Sequence, residues 1–262
     1  MKFSAALSTS LFATAALASP RHNPFHRAHS KSEAGAANTA GDDKSTINGI
    51  TSSTWAGAVL VTEGPVSAVS GQFVVPTPKA PANAQSGTEY CASIWVGIDG
   101  DSSSCGQAIL QTGIDVCIKD GQPSYSAWYE WWPALDEYFD NFDISAGQTL
   151  QASVRATANN AGVATLENLS TGKSVSFPWH GNVQANLCQL DAEWIVEDFS
   201  SSDGKTVPFV DFDTVTFTNA WATVDGKFVS PATAQLWDIS QDGTTLAHTS
   251  IDGSDVSISY VA

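Results

Sequence analysis

Residues 107–115 read QAILQTGID and divide into two different faces when they are placed on an extended strand. Successive side chains of a strand point to opposite sides, so every second residue shares a face. The even-numbered face is largely apolar and consists of Ala108, Leu110, Thr112 and Ile114. The odd-numbered face carries Gln111, an uncharged amide, near its middle. The pattern predicts a β-strand with one face in the core and a second face with a separate role.

The same two-faced pattern recurs in the stretches 92–99, 125–132 and 192–199. Each has one apolar face and one face that mixes aromatic and polar residues. The mixed faces carry Trp95, Gln111, Trp128, Glu130, Trp132, Glu193 and Glu197. Solvent-facing strand faces favour Lys, Thr and Ser, whereas tryptophans interleaved with a few polar groups are typical of a binding cleft. We therefore expect the floor of a groove; the alternative is an outer sheet face with scattered aromatics.

Strand-like segments fill the chain from Thr54 onward, and only 133–141 has the character of a short helical turn. Asp-Gly pairs, which are typical of hairpins and loops, separate many of these segments. The predicted strands are 55–62, 66–75, 90–99, 107–118, 124–132, 149–157, 163–169, 192–199, 213–224, 233–239 and 255–261. Many short strands without helices between them predict a single all-β domain, an antiparallel β-sandwich.

The 262-residue chain is strongly acidic, with a formal net charge of −16 at pH 7. Residues 1–50 contain five Lys or Arg and three Asp or Glu, which leaves 6 basic and 24 acidic residues, a net charge of −18, in the rest. A polyanion would be repelled, so nucleic acid is not expected as a partner. The acidic part repels itself at neutral pH and relaxes as carboxylates protonate, which predicts work in acid; solubility alone is the alternative.

The N-terminus has the features of a secretory signal peptide over residues 1–18, because a lysine, an apolar run and a small-residue cleavage pattern follow one another. No later run is long enough to span a membrane, so we expect a secreted, extracellular protein. Residues 19–50 are predicted to be a prosegment, and 51–262 the β-sandwich domain. The prosegment combines histidines with arginines, and such a basic arm can dock on its own acidic domain as an inhibitor. A disordered tail without an inhibitory role is the alternative.

Secretion permits disulfides, and the chain contains four cysteines. An antiparallel hairpin closed by the loop 100–108 places Cys91 opposite Cys117. The remaining pair is then Cys105 with Cys188, and this is the preferred one of the possible connectivities. The cysteine spacing matches no zinc pattern, and neither a metal nor a cofactor is predicted.

Familiar hydrolase mechanisms fit the sequence poorly. After residue 50 only His180 and His248 remain, and no G-x-S-x-G elbow occurs, which disfavours a serine triad. An even set of cysteines in a secreted chain is typical of disulfides rather than of a cysteine peptidase, and no D-[ST]-G triplet of an aspartic peptidase occurs. Carboxylates of the mixed faces remain. Glu130 and Glu197 fit the carboxyl pair of a glycoside hydrolase, whereas Glu197 with Gln111 fits attack on a peptide bond.

Several segments, in the order in which they occur, resemble the fungal glutamic peptidases, the eqolisins. These segments are WVGIDG (95–100), AILQTG (108–113), AWYEWWP (127–133), ATLENLSTG (164–172) and AEWIVEDF (192–199). The resemblance extends from about Thr54 to Ala262, behind a signal peptide and a prosegment. It implies a concanavalin-like sandwich of two curved antiparallel sheets. It also implies a secreted, pepstatin-insensitive endopeptidase that cleaves polypeptides in acid, and we expect a monomer.

The same resemblance implies roles for individual residues. The catalytic glutamine of the family corresponds to Gln111, and its catalytic glutamate corresponds to Glu197. Trp95, Trp128 and Glu130 correspond to residues that line the substrate cleft.

Three further residues complete the expected site and surface. Trp132 occupies a cleft position at which relatives have tyrosine, so a hydroxyl-dependent role is not expected there. Asp99 either supports Gln111 from the neighbouring strand or caps the Asp99-Gly100 turn. Asn168 begins an Asn-Leu-Ser glycosylation sequon. A glycoside hydrolase or a non-catalytic sugar-binding module remains the alternative to a peptidase, because a fold alone does not decide function.

Overall fold

The structure is a computed structural model that describes residues 27–28, 49–101, 103–201 and 204–262. The predicted signal peptide and most of the predicted prosegment lie outside the described residues, which include no helix long and apolar enough to cross a membrane. The strands are β1 (Arg27–Ala28), β2 (Gly49–Ser52), β3 (Trp55–Val61), β4 (Val66–Val74), β5 (Glu89–Ile98), β6 (Ile109–Lys119), β7 (Gln122–Trp132), β8 (Glu137–Tyr138), β9 (Thr149–Ala158), β10 (Ala161–Asn168), β11 (Lys173–His180), β12 (Asp191–Glu197), β13 (Ser200–Ser201), β14 (Thr214–Val224), β15 (Lys227–Val229), β16 (Gln235–Gln241), β17 (Thr244–Asp252) and β18 (Asp255–Tyr260).

Most of these strands form one continuous sheet that folds over on itself into two layers. The strand order is β11-β10-β9-β4-β14-β18-β17-β16-β3-β12-β5-β6-β7-β8, with β15 beside β14 and β2 beside β16. Neighbouring strands are antiparallel, apart from the parallel pairing of β2 with β16. A separate two-stranded sheet joins β1 to β13. The prediction of a single all-β antiparallel domain is confirmed.

Strand β14 connects the two layers, because it pairs with β18 through Thr214–Phe217 and with β4 through its later residues. Contacts between the layers close the fold. The indole Nε1 of Trp194 on β12 donates to the Ser70 carbonyl oxygen on β4 at 2.9 Å. The ring of Tyr129 on β7 stacks on that of Phe177 on β11, with ring centroids 4.2 Å apart. The two ends of the strand order therefore face each other across the interior.

The core lies between the layers and is built from the apolar faces that alternation predicts. Ile94, Ile114 and Trp194 have no exposed surface. Burying a side chain of this kind stabilises the fold by about 1.5–3 kcal/mol relative to leaving it exposed. The opposite face of the same strands carries a second buried apolar cluster, which consists of Trp55, Val59, Trp95, Ile109, Trp128, Ile195 and Trp237. The strands around β5 and β12 therefore bury side chains on both faces.

The structure differs from the prediction in segments with polar, exposed faces. Residues 133–141 contain the short strand β8 rather than a helical turn. Strands β11 and β17 are absent from the prediction because alternate residues of both are exposed and mostly polar. Strand β11 also contains Pro178, which a sheet tolerates at its edge. The strand predicted at 233–239 runs from Gln235 to Gln241, after a 3-10 turn at Pro231–Thr233.

Both disulfides join the cysteines that the hairpin argument paired. Cys91 and Cys117 lie directly opposite each other on β5 and β6. Cys105, in the loop between these strands, is bonded to Cys188, shortly before β12. The second bond joins positions 83 residues apart, and so it holds the start of β12 beside the β5–β6 hairpin.

Glycosylation at Asn168, predicted from the sequon, conflicts with the position of this residue in the fold. Asn168 has no exposed surface, its Nδ2 donates to Gln148 Oε1 at 2.9 Å, and its Oδ1 accepts the Ser170 N–H. A glycan on Nδ2 would need space and would remove a buried hydrogen bond. We expect peptide mapping by mass spectrometry to find Asn168 unmodified in the folded protein secreted from a fungal host. A sugar-bearing Asn168 peptide from active protein would contradict this expectation.

Candidate active site

The register across β12, β5, β6 and β7 brings the predicted mixed faces together on one side of the sheet. Residues directly opposite each other on neighbouring strands share a face. One rung consists of Glu193, Gly97, Gln111 and Glu130. The next consists of Ile195, Trp95, Gly113 and Trp128, and the one after it of Glu197, Ser93, Asp115 and Ser126. Gln111 and Glu197 therefore lie on one face, with Trp95 on the rung between them.

This face is buried in the intact chain. Gln111, Trp95, Trp128 and Glu197 have no exposed surface, and Glu130 is 1% exposed. An outer sheet face would leave these side chains in water, so that alternative interpretation of the sequence is wrong. In a buried position, polar side chains are oriented by hydrogen bonds with which water does not compete.

Glu197 is oriented by an indole. Trp95 Nε1 donates to Glu197 Oε2 at 3.0 Å. Trp55 lies opposite Glu197 on β3, and its ring meets the Trp95 ring edge to face with centroids 4.9 Å apart. Packed aromatic rings have little freedom to turn, so Trp55 restricts the direction of the Trp95 N–H. One carboxylate oxygen of Glu197 is thereby held in place at the end of β12.

Gln111 is oriented by a carboxylate. Its Nε2 donates to Glu130 Oε2 on the adjacent strand, within the same rung. An ionised carboxylate only accepts hydrogen bonds, so it selects the NH2 side of the amide. Gln111 Oε1 has no partner among the described residues. The amide is therefore held in one orientation, and the second proton on Nε2 is not used by Glu130.

A hydrogen-bonded chain next to Glu197 is absent from the sequence prediction. Trp128 Nε1 donates to Ser93 Oγ at 3.2 Å, and Ser93 Oγ donates to Asp115 Oδ1 at 2.9 Å. Alternation marks Ser93 and Asp115 as members of the mixed faces. A single serine or aspartate on a strand, however, does not stand out from surface residues in a sequence. Because Ser93 and Asp115 are buried and this chain of hydrogen bonds ends at the Trp128 indole, they hold the Trp128 ring in place.

Asp99 is not part of the cleft, and its predicted substrate-binding role is corrected. The backbone turns at Asp99 with φ 66°, and the carboxylate accepts the successive backbone N–H groups of 188–190 at 2.7–2.8 Å. Burial, and then the charge of Asp191, raises the pKa of Asp99 to about 6 despite these donors. Asp99 anchors the segment that leads into β12 and makes no hydrogen bond to Gln111.

Trp132 lies at the end of β7, opposite Ile109 on β6. It is half-buried and packs against the apolar cluster that contains Trp95 and Trp128. An indole offers a flat apolar surface and a single N–H donor. At this position the chain therefore supplies stacking area and no hydroxyl.

The cysteines and His248, whose side chains could serve other mechanisms, take part in other interactions. All four cysteines of the chain are in disulfides. His248, on an exposed strand, bonds Asp238 at 2.9 Å through its Nδ1. Groups of possible metal ligands among the described residues each combine two bonded cysteines with one carboxylate, Glu89 or Asp99. Each group therefore offers a single carboxylate as a ligand while its disulfide is intact.

The arrangement of a buried glutamate and glutamine on one sandwich face agrees with the comparison with known proteins. The model of the Peptidase A4 family matches residues 53–260. This chain belongs to the Peptidase A4 family. Aspergillopepsin-2 of Aspergillus niger is 47% identical to this A4 peptidase over 286 aligned residues that span both chains completely. Scytalidopepsin B of Scytalidium lignicola is 38% identical over 272 aligned residues, again across both chains.

Solved structures extend the agreement to the fold. Scytalido-glutamic peptidase, in complex with a transition state analog inhibitor, superposes with a TM-score of 0.71 at 40% identity and covers 80% of this chain and 98% of that one. Aspergilloglutamic peptidase of Aspergillus niger gives a TM-score of 0.63 at 53% identity over 66% of this chain and 99% of that one. This A4 peptidase is therefore a glutamic peptidase, and the resemblance to the eqolisins seen in its sequence is confirmed.

Proposed function

We propose that this A4 peptidase is a secreted endopeptidase that works in acid, with Glu197 and Gln111 as its catalytic residues. The observation that carries the proposal is that the two side chains share one buried face, and that each is held by a neighbour. Trp95 holds Glu197, and Glu130 holds Gln111. The family motifs, which assign the catalytic glutamate and glutamine to the same positions, add support.

Glu197 acts as the general base and then as the general acid. Its carboxylate takes a proton from a water molecule while the water oxygen attacks the scissile carbonyl carbon. A tetrahedral intermediate forms, and its carbonyl oxygen becomes negatively charged. Glu197 then gives the proton to the leaving nitrogen as the C–N bond breaks. The hydrogen bond from Trp95 keeps the carboxyl group in one orientation through both transfers.

Gln111 stabilises the oxyanion. One Nε2 proton is directed to Glu130, and the other is available to the developing negative charge. A donor that is already oriented costs no reorganisation during the reaction, and such a donor contributes about 3 kcal/mol. An amide does not titrate, so the donor is present at every working pH.

Buried carboxyl groups favour work in acid. Burial raises the pKa of Asp99 to about 6 and that of Asp198, next to Glu197, to about 7, from an ordinary value of 3.8. The folded state therefore keeps protons that the unfolded chain releases. The stability that results is fully present below pH 3.8 and is lost as the pH rises through 6 and 7.

In this proposal the prosegment inhibits its own domain. Arg27–Ala28 pairs antiparallel with Ser200–Ser201, which follows Glu197 closely in the chain. Strand addition supplies backbone hydrogen bonds, and a basic segment on an acidic domain adds charge attraction. The attraction weakens when domain carboxylates protonate, so acid would release the prosegment.

Secretion and a monomeric state complete the proposal. The signal-like N-terminus and the two disulfides support secretion, because such bonds persist in oxidising compartments. In this proposal the enzyme acts on polypeptides as a monomer.

Incubating the purified precursor in acid tests this function. At about pH 4, near the ordinary pKa of carboxyl groups, we expect release of the N-terminal segment and then cleavage of internal bonds in a peptide library, with pepstatin present. Hydrolysis of a polysaccharide without peptide cleavage would contradict the proposal and favour a glycoside hydrolase that uses Glu130 and Glu197. Sugar binding without any hydrolysis would instead favour a sugar-binding module.

A further inference from the structure

Four carboxyl groups are buried together beside the proposed catalytic face. Asp99, Asp101, Asp191 and Glu193 have no exposed surface. In the part of the chain that the structure describes, none of them forms an ion pair with Lys, Arg or His. Neighbouring carboxylates without a counter-charge disfavour one another's ionisation, and burial adds to the effect. The member whose charge is least stabilised is therefore expected to keep its proton to the highest pH.

The distribution of hydrogen-bond donors identifies that member. Asp99 accepts three backbone N–H groups. Asp101 and Asp191 each accept a backbone N–H and a serine hydroxyl. No donor among the described residues reaches either oxygen of Glu193. The hydrogen bond open to Glu193 is one that it donates itself, as a neutral acid, to Asp191.

Glu193 also shares the space over Gly97 with the tryptophan that holds Glu197. It is directly opposite Gly97, in the same rung as Gln111. A Cβ atom on Gly97 would stand 3.1 Å from Glu193 Oε2 and 2.8 Å from Cζ3 of Trp95. The carboxyl group and the Trp95 ring therefore share the space that the missing side chain of Gly97 leaves.

The proposed chemistry leaves the upper pH limit of activity without a cause. Glu197, the proposed general base, accepts a proton from water as a carboxylate. Gln111 does not titrate. A loss of activity at higher pH, in protein that is still folded, requires a different group that works only when protonated.

We infer that Glu193 is a positioning residue which, while uncharged, lets Trp95 hold Glu197 in place, and that its ionisation ends activity as the pH rises. The inference rests on the proposed roles of Glu197 and Gln111. A charged Glu193 needs water or a donor, but it has no exposed surface and no donor reaches it among the described residues, so its ionisation requires its surroundings to rearrange. The Trp95 ring shares the space over Gly97 with this carboxyl group, and in the proposed role the ring moves when Glu193 ionises, so that its N–H leaves Glu197.

The surroundings of Glu193 agree with this role. Burial raises its pKa well above the ordinary value, and the charges of the nearby carboxylates raise it further. The titratable groups facing it are Asp191 on its own strand and Asp99 and Asp101 after β5; Val59, Gly97 and Gln111 across the rung are uncharged, and Glu130 stands beyond Gln111. The retained proton stabilises the folded state at low pH, and this contribution is lost as the pH rises through the folded-state pKa.

The pH profile of kcat/KM for a fluorogenic peptide tests the inference, with tryptophan emission recorded at each pH. Glu193→Gln keeps the shape of the neutral acid and cannot ionise. We expect its activity in acid to stay within about threefold of wild type and its basic limb to move up by about one pH unit or more. The emission change that accompanies the basic limb of the wild type should move with it.

A second variant distinguishes this role of Glu193 from a general decrease in repulsion among the buried carboxylates. Asp191→Asn removes a charge that raises the pKa of Glu193 and keeps an oxygen that accepts its proton. The basic limb of this variant should move to lower pH, whereas relief of repulsion would move both variants to higher pH. Glu167→Gln, half-buried on β10, is the matched control and should leave the limb unchanged.

The inference predicts that the basic limb moves in opposite directions in the two variants, so each shift tests it separately. An unmoved basic limb in Glu193→Gln, or an upward shift in Asp191→Asn, overturns the inference. If Glu193→Gln does not fold, the direction of the Asp191→Asn shift decides alone. A wild-type enzyme that cleaves no peptide in acid would overturn the proposed function instead, which is a separate result.

Discussion

Glu197→Gln is expected to lower kcat by about 10⁴, the upper end of what general acid–base catalysis contributes, because the residue serves in both proton transfers. Glutamine keeps an oxygen that can accept the Trp95 N–H, so the hydrogen bond seen at 3.0 Å can persist. What the substitution removes is the ability to take a proton from water and return it to nitrogen. The measurement is the single-turnover cleavage of a peptide in acid.

The control separates chemistry from folding. Glu63→Gln makes the same chemical change in an exposed turn and should leave the rate within about twofold of wild type, as surface substitutions usually do. Thermal unfolding and near-UV circular dichroism of Glu197→Gln should match those of the wild type. A Glu197→Gln enzyme that retains a tenth of wild-type activity would exclude Glu197 as the proton-transfer group.

Gln111→Ala is expected to lower kcat by about 10²–10³ with little change in KM, because an oxyanion donor acts mainly in the transition state. The side chain is buried, and its Nε2 donates to Glu130, so truncation also leaves Glu130 with one donor fewer. That second effect should appear as a modest loss of stability. Steady-state kinetics on a peptide, together with a thermal melt, measures the two effects separately.

Gln107→Ala is the matched control for this substitution, since Gln107 is an exposed glutamine just before β6. It should cleave peptides at the wild-type rate. A Gln111→Ala enzyme with a raised KM and an unchanged kcat would mean that the amide binds substrate without stabilising the oxyanion. Near-normal values of both constants would remove Gln111 from the catalytic residues.

Alternation within single strands was sufficient to predict much of the fold and of the candidate site. It separated Ile94 and Leu110, which are buried in the core, from Trp95 and Gln111 on the other face. The hairpin register that pairs Cys91 with Cys117 followed from counting residues across one loop. These predictions succeed because an extended chain has a period of two, so that a residue's face depends only on its position along its own strand.

Other features have no local signal. Asp99 continues the alternation of β5, and only the turn of its backbone directs its carboxylate to 188–190. Asn168 has a sequon, and only the packing of β10 against Gln148 shows that it is enclosed. Glu193 looks like any strand glutamate until its neighbours, Gly97 and Asp191, are known.

The sequence by itself determined which side chains share a face, the all-β class and the candidate pair Gln111 and Glu197. The tertiary structure decided which strands are neighbours, and hence that β12 lies beside β5, so that Trp95 meets Glu197 across 102 residues of chain. It also decided which acid of the buried group accepts no donor among the described residues. The physical reason is that alternation is a property of one extended segment, whereas strand order, burial and hydrogen-bond partners depend on contacts between distant segments that no single stretch contains.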